Sequence, residues 1–165
     1  MNEFEKYEID GRQKLKSVFK TVNWEFTKGE FDPYDAYANY KNKTIIAEIK
    51  TRNYDLYEYP NCFIEVKKLN NLLSNEADEI IYVSHFTNNV TATWNLTNLT
   101  YEDSTPKTIW MNKTTAGGTV TKIEKEVIEL NIVNADLRAT TTGEKREYLT
   151  QSMLKALQLY KENKK

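Results

Sequence analysis

Hydrophobic positions recur every three or four residues in three segments of the chain, which is the spacing of amphipathic helices. In the first segment, Leu15, Val18 and Phe19 have this spacing. Gly11 interrupts that segment at a cost of about 1 kcal/mol relative to alanine. Pro60 suits the first turn of the second segment. The pattern therefore predicts helices over residues 2–22, 60–73 and 143–165.

Polar and apolar positions alternate in other segments, and turn residues separate these segments, as is typical of β-strands. The segments predicted as strands are residues 24–26, 34–40, 44–50, 79–86, 90–96, 105–111 and 122–132, although a helix fits the last almost as well. Residues 51–59 and 113–121 are predicted as loops. This order of elements predicts an α/β (α+β) fold, in which helices flank a mixed central β-sheet. Since no linker interrupts it, we expect a single domain over residues 1–165.

Charge and composition narrow the classes of partner. The chain has 23 Lys and Arg against 24 Asp and Glu, a net charge of −1, so nucleic-acid binding requires a local basic patch. No run of about 18 apolar residues exists, so we expect no membrane-spanning helix. The acidic start of the chain lacks the apolar region of a secretory signal, and Cys62 is the only cysteine. These features lead us to expect a cytoplasmic protein.

Two carboxylates and a lysine fall at one end of the hairpin predicted from the alternating segments. Residues two apart on a strand face the same side, so Glu48 and Lys50 point together. A two-residue loop at residues 41–42 places Asp35 opposite Glu48, whereas a loop at residues 42–43 places Asp35 opposite Lys50. An odd-length loop without a bulge places Asp35 on the wrong face. Either even register gathers two carboxylates and an ammonium group.

Such a pair of carboxylates can hold Mg²⁺ or Mn²⁺, because these hard cations prefer oxygen ligands and keep several waters. The ion offsets the charge of a phosphodiester and lowers the pKa of a bound water. A neighbouring lysine can orient that water and neutralise charge on the phosphate. The residues therefore predict a site for metal-assisted hydrolysis.

These residues resemble the motif of the PD-(D/E)XK nuclease superfamily, which has the restriction-endonuclease-like fold. Asp35 matches the motif aspartate, with one tyrosine between it and the preceding proline, and Glu48 and Lys50 match E-x-K. The gap between the two acids is in the family's usual range. The resemblance covers residues 3–86 and extends to the order of elements, which is a helix, a hairpin that carries the motif, a crossover helix and further strands.

The resemblance implies a metal-dependent deoxyribonuclease with Mg²⁺ (or Mn²⁺) as cofactor and DNA as partner. Asp35 and Glu48 would be metal ligands, and Lys50 would be the catalytic lysine. A homodimer is plausible, because cutting both strands of a duplex usually requires a second active site. The abundance of Asn, Lys and Tyr points to an AT-rich genome, and hence to the cytoplasm of a bacterium or of a phage-infected host.

Further site residues are implied by the same resemblance. Many members add a glutamate from the first helix, for which Glu8 is the best match, with Glu5 and Asp10 as alternatives. Many also place a polar residue on the crossover helix facing the site, and Lys67 or Glu65 is the nearest match to it. The glutamine that is commoner at that position is absent.

Four basic residues are candidates for contact with nucleic acid. One follows the E-x-K motif, two lie on the crossover helix, and one lies near the Gly-Gly tip of a predicted loop. The two residues on the helix could contact the site itself instead of nucleic acid. The candidates are Arg52, Lys67, Lys68 and Lys113.

Two other functions fit the same sequence. One is a non-catalytic nucleic-acid-binding or assembly protein that retains the nuclease fold, in which the carboxylates diverge or aromatic side chains block the pocket. The other is a hydrolase for a different substrate, with Asp35 and Glu48 as an acid/base pair. The geometry of Asp35, Glu48 and Lys50 separates the nuclease from the binding protein.

Overall fold

The computed structural model describes residues 2–28, 33–99, 106–112 and 122–140. The predicted terminal helix and the loop that contains Lys113 lie outside these residues. Neither helix in the described part of the chain combines the length and the apolar composition that crossing a membrane requires.

The described chain begins with a helix, which is followed by four strands, a second helix and five further strands. The first elements are α1 (Glu3–Val18), β1 (Glu25–Phe26), β2 (Ala36–Tyr40) and β3 (Lys43–Thr51). They are followed by β4 (Asn61–Glu65), α2 (Val66–Leu73), β5 (Glu79–His85), β6 (Val90–Asn95), β7 (Lys107–Asn112), β8 (Lys122–Asn131) and β9 (Leu137–Thr140). Short 3-10 turns at Leu96–Asn98 and Ile132–Asn134 follow β6 and β8.

The start of α1 is fixed by its cap. The side chain of Asn2 accepts a hydrogen bond of 2.8 Å from the backbone N–H of Glu5, which satisfies one of the donors that a helix leaves free at its first turn. Acidic residues in that first turn also suit the positive end of the helix dipole. The helix ends at Val18, four residues before the predicted end.

The prediction of a helix over residues 60–73 is wrong in its first part. Residues 61–65 form β4, in which Cys62 and Ile64 are buried and their neighbours are half-buried. This strand pairs with β8, which lies far away in the sequence, and its alternating burial has the period of a strand. The apolar residues of this segment fit both a helix and a strand, so pairing with a distant strand decides which of the two forms.

Within the described residues, six strands form a mixed sheet in the order β1-β2-β3-β5-β6-β9, and β4, β8 and β7 form a second sheet. Strands β3 and β5 are parallel, and every other pair of neighbours in the two sheets is antiparallel. The predicted mixed sheet with helices is therefore confirmed. Strand β9, which pairs with β6, was not predicted.

The large sheet is covered differently on its two faces. Leu15 of α1 packs on one face with small residues such as Ala36 and Ala47. Leu69 and Leu72 of α2 belong to the larger core on the other face, together with residues of β4, β5 and β6. Because successive residues of a strand face opposite sides, the even-numbered residues of β3 face away from α1.

A buried histidine joins α1 to the large sheet. His85 is 0 % exposed, its Nδ1 lies 2.7 Å from the hydroxyl of Thr91, and its Nε2 lies 3.1 Å from the carbonyl oxygen of Gly11. A carbonyl can only accept, so Nε2 donates and Nδ1 accepts from the hydroxyl in the neutral ring. Gly11 permits this approach, since a Cβ there would lie 3.2 Å from Cγ2 of Ile49.

The pKa of His85 generates a prediction about acid stability. Burial, with the charge of nearby Lys14, lowers the pKa of His85 from 6.5 to about 4. As the pH falls below 6.5, the unfolded chain binds a proton before the folded chain does, so stability is lost. Between about pH 7.5 and pH 5, wild type should lose about 2 kcal/mol of unfolding free energy relative to His85→Gln, measured by urea denaturation.

His85 is the only histidine of the chain, so the comparison between wild type and His85→Gln isolates its titration. A difference between the two proteins that stays constant over this pH range would contradict the prediction.

Candidate functional site

The turn between β2 and β3 sets which residues face each other. Lys41 and Asn42 have positive φ angles of 50° and 64°, as a two-residue type I′ turn requires. Ala36 pairs with Ala47, so the same register places Asp35 opposite Glu48. The first of the two predicted registers is therefore confirmed.

Asp35 is fastened to β3 at the entrance to β2. Its backbone N–H donates to the carbonyl of Ala47 at 3.0 Å, and its carboxylate Oδ2 accepts from the backbone N–H of Ile49 at 2.7 Å. The backbone N–H of Thr27 donates to the Asp35 carbonyl at 3.0 Å. These bonds fix the position of the Asp35 carboxylate beside the strand that carries Glu48.

Glu48 is a buried carboxylate between two lysines. It is 4 % exposed, with Lys50 Nζ 3.8 Å from Oε1 and Lys68 Nζ 3.2 Å from Oε2. Oε2 is buried, and the ammonium group of Lys68 lies beside it. The predicted association of Asp35, Glu48 and Lys50 on one face is confirmed, and Lys68 joins it from α2.

The environment of Glu48 disfavours its charged form. Burial contributes most and the charge of Asp35 adds to it, while Lys50 and Lys68 act in the opposite direction. Together these effects raise the pKa of Glu48 from 4.5 to about 7. A raised pKa means that the ionised carboxylate destabilises the folded protein relative to the unfolded chain. Glu48 at this position therefore does not serve the stability of the fold.

The site opens toward β2. Tyr37 and Asn39 of this strand are exposed and share the face of Asp35, whereas α2 covers the part of the face beyond Glu48. Glu48 therefore lies at the boundary between the covered and the open part of the sheet, and a ligand can approach from the side of Asp35.

The first-helix glutamate is not brought to this cluster. Glu8 forms an ion pair of 2.9 Å with Arg12, and α1 packs on the face of the sheet opposite Glu48. The alternative Asp10 pairs with Lys14 at 2.8 Å. The residues that the structure describes contain no group of three His, Cys, Asp or Glu side chains that could hold a metal ion, so the geometry gives Glu8 no support as a ligand.

On the crossover helix, the residue at the site is Lys68 and not Lys67 or Glu65. Lys67 is exposed, and Glu65 pairs with Lys125 at 2.6 Å. The sequence contains a signal for this result, because Lys68 precedes the buried Leu72 by four residues and so shares its side of the helix.

Arg52 points into the protein, which argues against its predicted role in nucleic-acid contact. Its guanidinium donates to the hydroxyl of Tyr82 at 3.0 Å and to the hydroxyl of Ser84 at 3.3 Å. The Tyr82 hydroxyl in turn donates to the carbonyl of Phe63 at 3.2 Å, so Arg52 links the large sheet to β4. Lys113, the fourth candidate for this contact, lies outside the described residues.

The donor set of the site fits a hard divalent cation. Asp35 and Glu48 supply carboxylate oxygens, and one of them, Oε2 of Glu48, is buried beside Lys68. Mg²⁺ commonly takes only one or two protein carboxylates and completes its shell with water and substrate oxygens. Two carboxylates are thus sufficient for such an ion, and soft metals find no suitable ligands here.

Comparison with known proteins assigns no family to this chain. No family model, no curated protein and no solved structure matches it. Function must therefore be inferred from the chemistry of the site itself.

The pKa of Glu48 predicts how stability depends on pH. Its value in the folded protein, about 7, lies above 4.5, so the folded chain binds the proton more tightly and stability is lost as the pH rises from 4.5 through 7. Glu48→Gln stays neutral and should gain about 3 kcal/mol of unfolding free energy relative to wild type over that rise. Urea denaturation in the presence of a chelator measures it.

Glu79→Gln is the matched control, since Glu79 belongs to an exposed pair with Lys43. If the Glu48 and Glu79 variants show the same dependence on pH, the predicted effect of burial on Glu48 is wrong.

Proposed function

We propose that this chain is a nuclease that depends on Mg²⁺ or Mn²⁺ and hydrolyses phosphodiester bonds of DNA. The observation that supports this proposal most strongly is Glu48, a buried carboxylate with a raised pKa, next to Asp35 and two lysines. Burial of two neighbouring carboxylates costs free energy, and a divalent cation held between them would offset that cost.

In this proposal, Asp35 and Glu48 hold the metal ion. The bound ion would offset charge on the phosphodiester and lower the pKa of a water molecule. The hydrogen bond from Ile49 orients the Asp35 carboxylate, and the β2–β3 register keeps the two acids adjacent. The protein therefore orients the two metal ligands in advance through its backbone.

Lys50 is the proposed catalytic lysine. Its side chain is 40 % exposed and its Nζ lies 3.8 Å from Glu48 Oε1, so the ammonium can reach both the carboxylate and a bound substrate. There it would orient the attacking water and stabilise the negative charge that develops on the phosphate oxygens.

The order of the elements also supports the proposal. Helix α1, the antiparallel strands β1–β3, the crossover through α2 and the parallel strand β5 follow the order that the resemblance to PD-(D/E)XK nucleases implies. Strand β4 is an insertion in the crossover. With Arg52 turned inward, Lys50 and the exposed Lys67 are the described residues proposed to meet the DNA backbone.

Removal of Lys50 tests the nuclease proposal. With Mg²⁺ or Mn²⁺, the wild-type protein should cleave plasmid DNA, and Lys50→Ala should reduce the rate by about 100-fold or more, because charge stabilisation by one positioned group has this magnitude. Lys43→Ala is the matched control, since Lys43 lies at the other end of β3 and is 61 % exposed.

Equal rates for the Lys50 and Lys43 variants would remove Lys50 from the mechanism. Absence of cleavage by wild type with either ion would reject the nuclease and favour a non-catalytic nucleic-acid-binding protein.

The pKa of Glu48 supports a second candidate function. A carboxyl group with a pKa of about 7 can act as a general acid at neutral pH, and Asp35 beside it can act as the base. This arrangement would serve a metal-independent hydrolase that acts on a substrate other than DNA.

Chelation tests whether the proposed nuclease depends on a metal ion. We expect EDTA to abolish plasmid cleavage and added Mg²⁺ to restore it, because in the nuclease the metal offsets the charge of the phosphodiester. Cleavage is measured by gel electrophoresis of supercoiled plasmid. Plasmid cleavage that continues unchanged in EDTA would contradict the metal-dependent mechanism.

A further inference from the structure

Lys68 approaches a buried carboxylate oxygen of the site. Its Nζ lies 3.2 Å from Oε2 of Glu48, while Lys50 lies 3.8 Å from the other oxygen, Oε1. The side chain of Lys68 is 28 % exposed and that of Lys50 is 40 % exposed, so Lys68 is the more enclosed of the two cations.

The position of Lys68 follows from the way α2 begins. Strand β4 runs directly into α2 at Val66, and the helix buries Leu69 and Leu72 in the core against the large sheet. A residue four positions before the buried Leu72 lies on the same side of the helix. Lys68 is thus presented to the sheet by the packing of α2, whereas its neighbour Lys67 is exposed.

The charges of this cluster already balance. Asp35 and Glu48 carry two negative charges when ionised, and Lys50 and Lys68 carry two positive charges. A divalent cation that approaches Glu48 therefore meets no net negative charge and is repelled by an ammonium group beside the oxygen it needs. Mg²⁺ binding requires that at least one lysine move away from the carboxylate.

We propose that Lys68 is the resident counter-cation of Glu48, which a divalent metal ion must displace from Oε2, and that Lys68 thereby lowers the metal affinity of the site. This inference rests on the proposed metal-binding function. Lys68 is a positioning residue in this scheme, because it acts on the metal through Glu48. Lys68 keeps the Glu48 carboxylate paired while no metal is bound. Metal binding then requires an ion concentration high enough to displace the Lys68 ammonium group from Oε2.

Titration calorimetry with Mn²⁺ alone, without DNA, tests the proposal. The four proteins are wild type, Lys68→Met, Lys68→Arg and Lys67→Met, at about pH 8.5, which lies above the pKa of about 7 of Glu48 in wild type. Lys68→Met should bind Mn²⁺ about tenfold more tightly than wild type, since it removes the competing charge. Lys68→Arg keeps that charge and should bind as weakly as wild type.

Lys67→Met is the matched control, because it removes the same charge from an exposed position on the same helix. We expect its affinity for Mn²⁺ to stay within about twofold of wild type, since exposed charges are screened by solvent. Thermal unfolding of each variant checks that it is folded, and Lys68→Gln replaces Lys68→Met if the latter is not.

The outcomes distinguish the inference from the function on which it rests. If wild type binds Mn²⁺ and Lys68→Met binds it no more tightly than Lys67→Met does, Lys68 has only a structural role and the inference is overturned. If none of the proteins binds Mn²⁺, the proposed metal site itself is overturned, and this inference with it.

Discussion

The two-residue turn at Lys41 and Asn42 is the constraint on which the candidate site depends. Both residues have positive φ angles, so the chain reverses without a bulge and Asp35 lies opposite Glu48. Because side chains alternate between the faces of a strand, a shift by one residue would move Asp35 to the face covered by α1. The acids and Lys50 then could not act together. Neither turn residue is glycine, so this site relies on a turn with some backbone strain.

The parts of the fold that depend on neighbouring residues were predictable from the sequence, whereas those that depend on distant partners were not. The β2–β3 hairpin and the association of Asp35, Glu48 and Lys50 follow from alternation and from a short loop. Residues 61–65 form a strand because β8 pairs with them, and β8 follows only after α2, β5, β6 and β7. The position of Glu8 likewise depends on which face of the large sheet α1 covers. The spacing of residues within α1 does not reveal that face.

Two buried ionisable groups lie on opposite faces of the large sheet and respond to pH in opposite directions. His85, against α1, is held neutral and resists protonation, while Glu48, on the face toward α2, is held neutral and resists ionisation. Both effects arise mainly from burial, which disfavours whichever form is charged. Their contributions to stability offset each other between about pH 4.5 and 6.5, so the pH dependence of wild type alone would conceal both.

The cost of ionising Glu48 is itself an argument for a ligand. A buried ion pair is often no more stable than apolar residues of similar volume, and it stabilises a fold only when hydrogen bonds complete it. Here burial and the charge of Asp35 raise the pKa of Glu48 even though Lys50 and Lys68 lie nearby. Folding alone gives no reason to place two carboxylates side by side in this way. A cation that binds both would turn their mutual repulsion into attraction, because each acid then interacts with a double positive charge. An arrangement that costs free energy in folding is the pattern expected of a functional site.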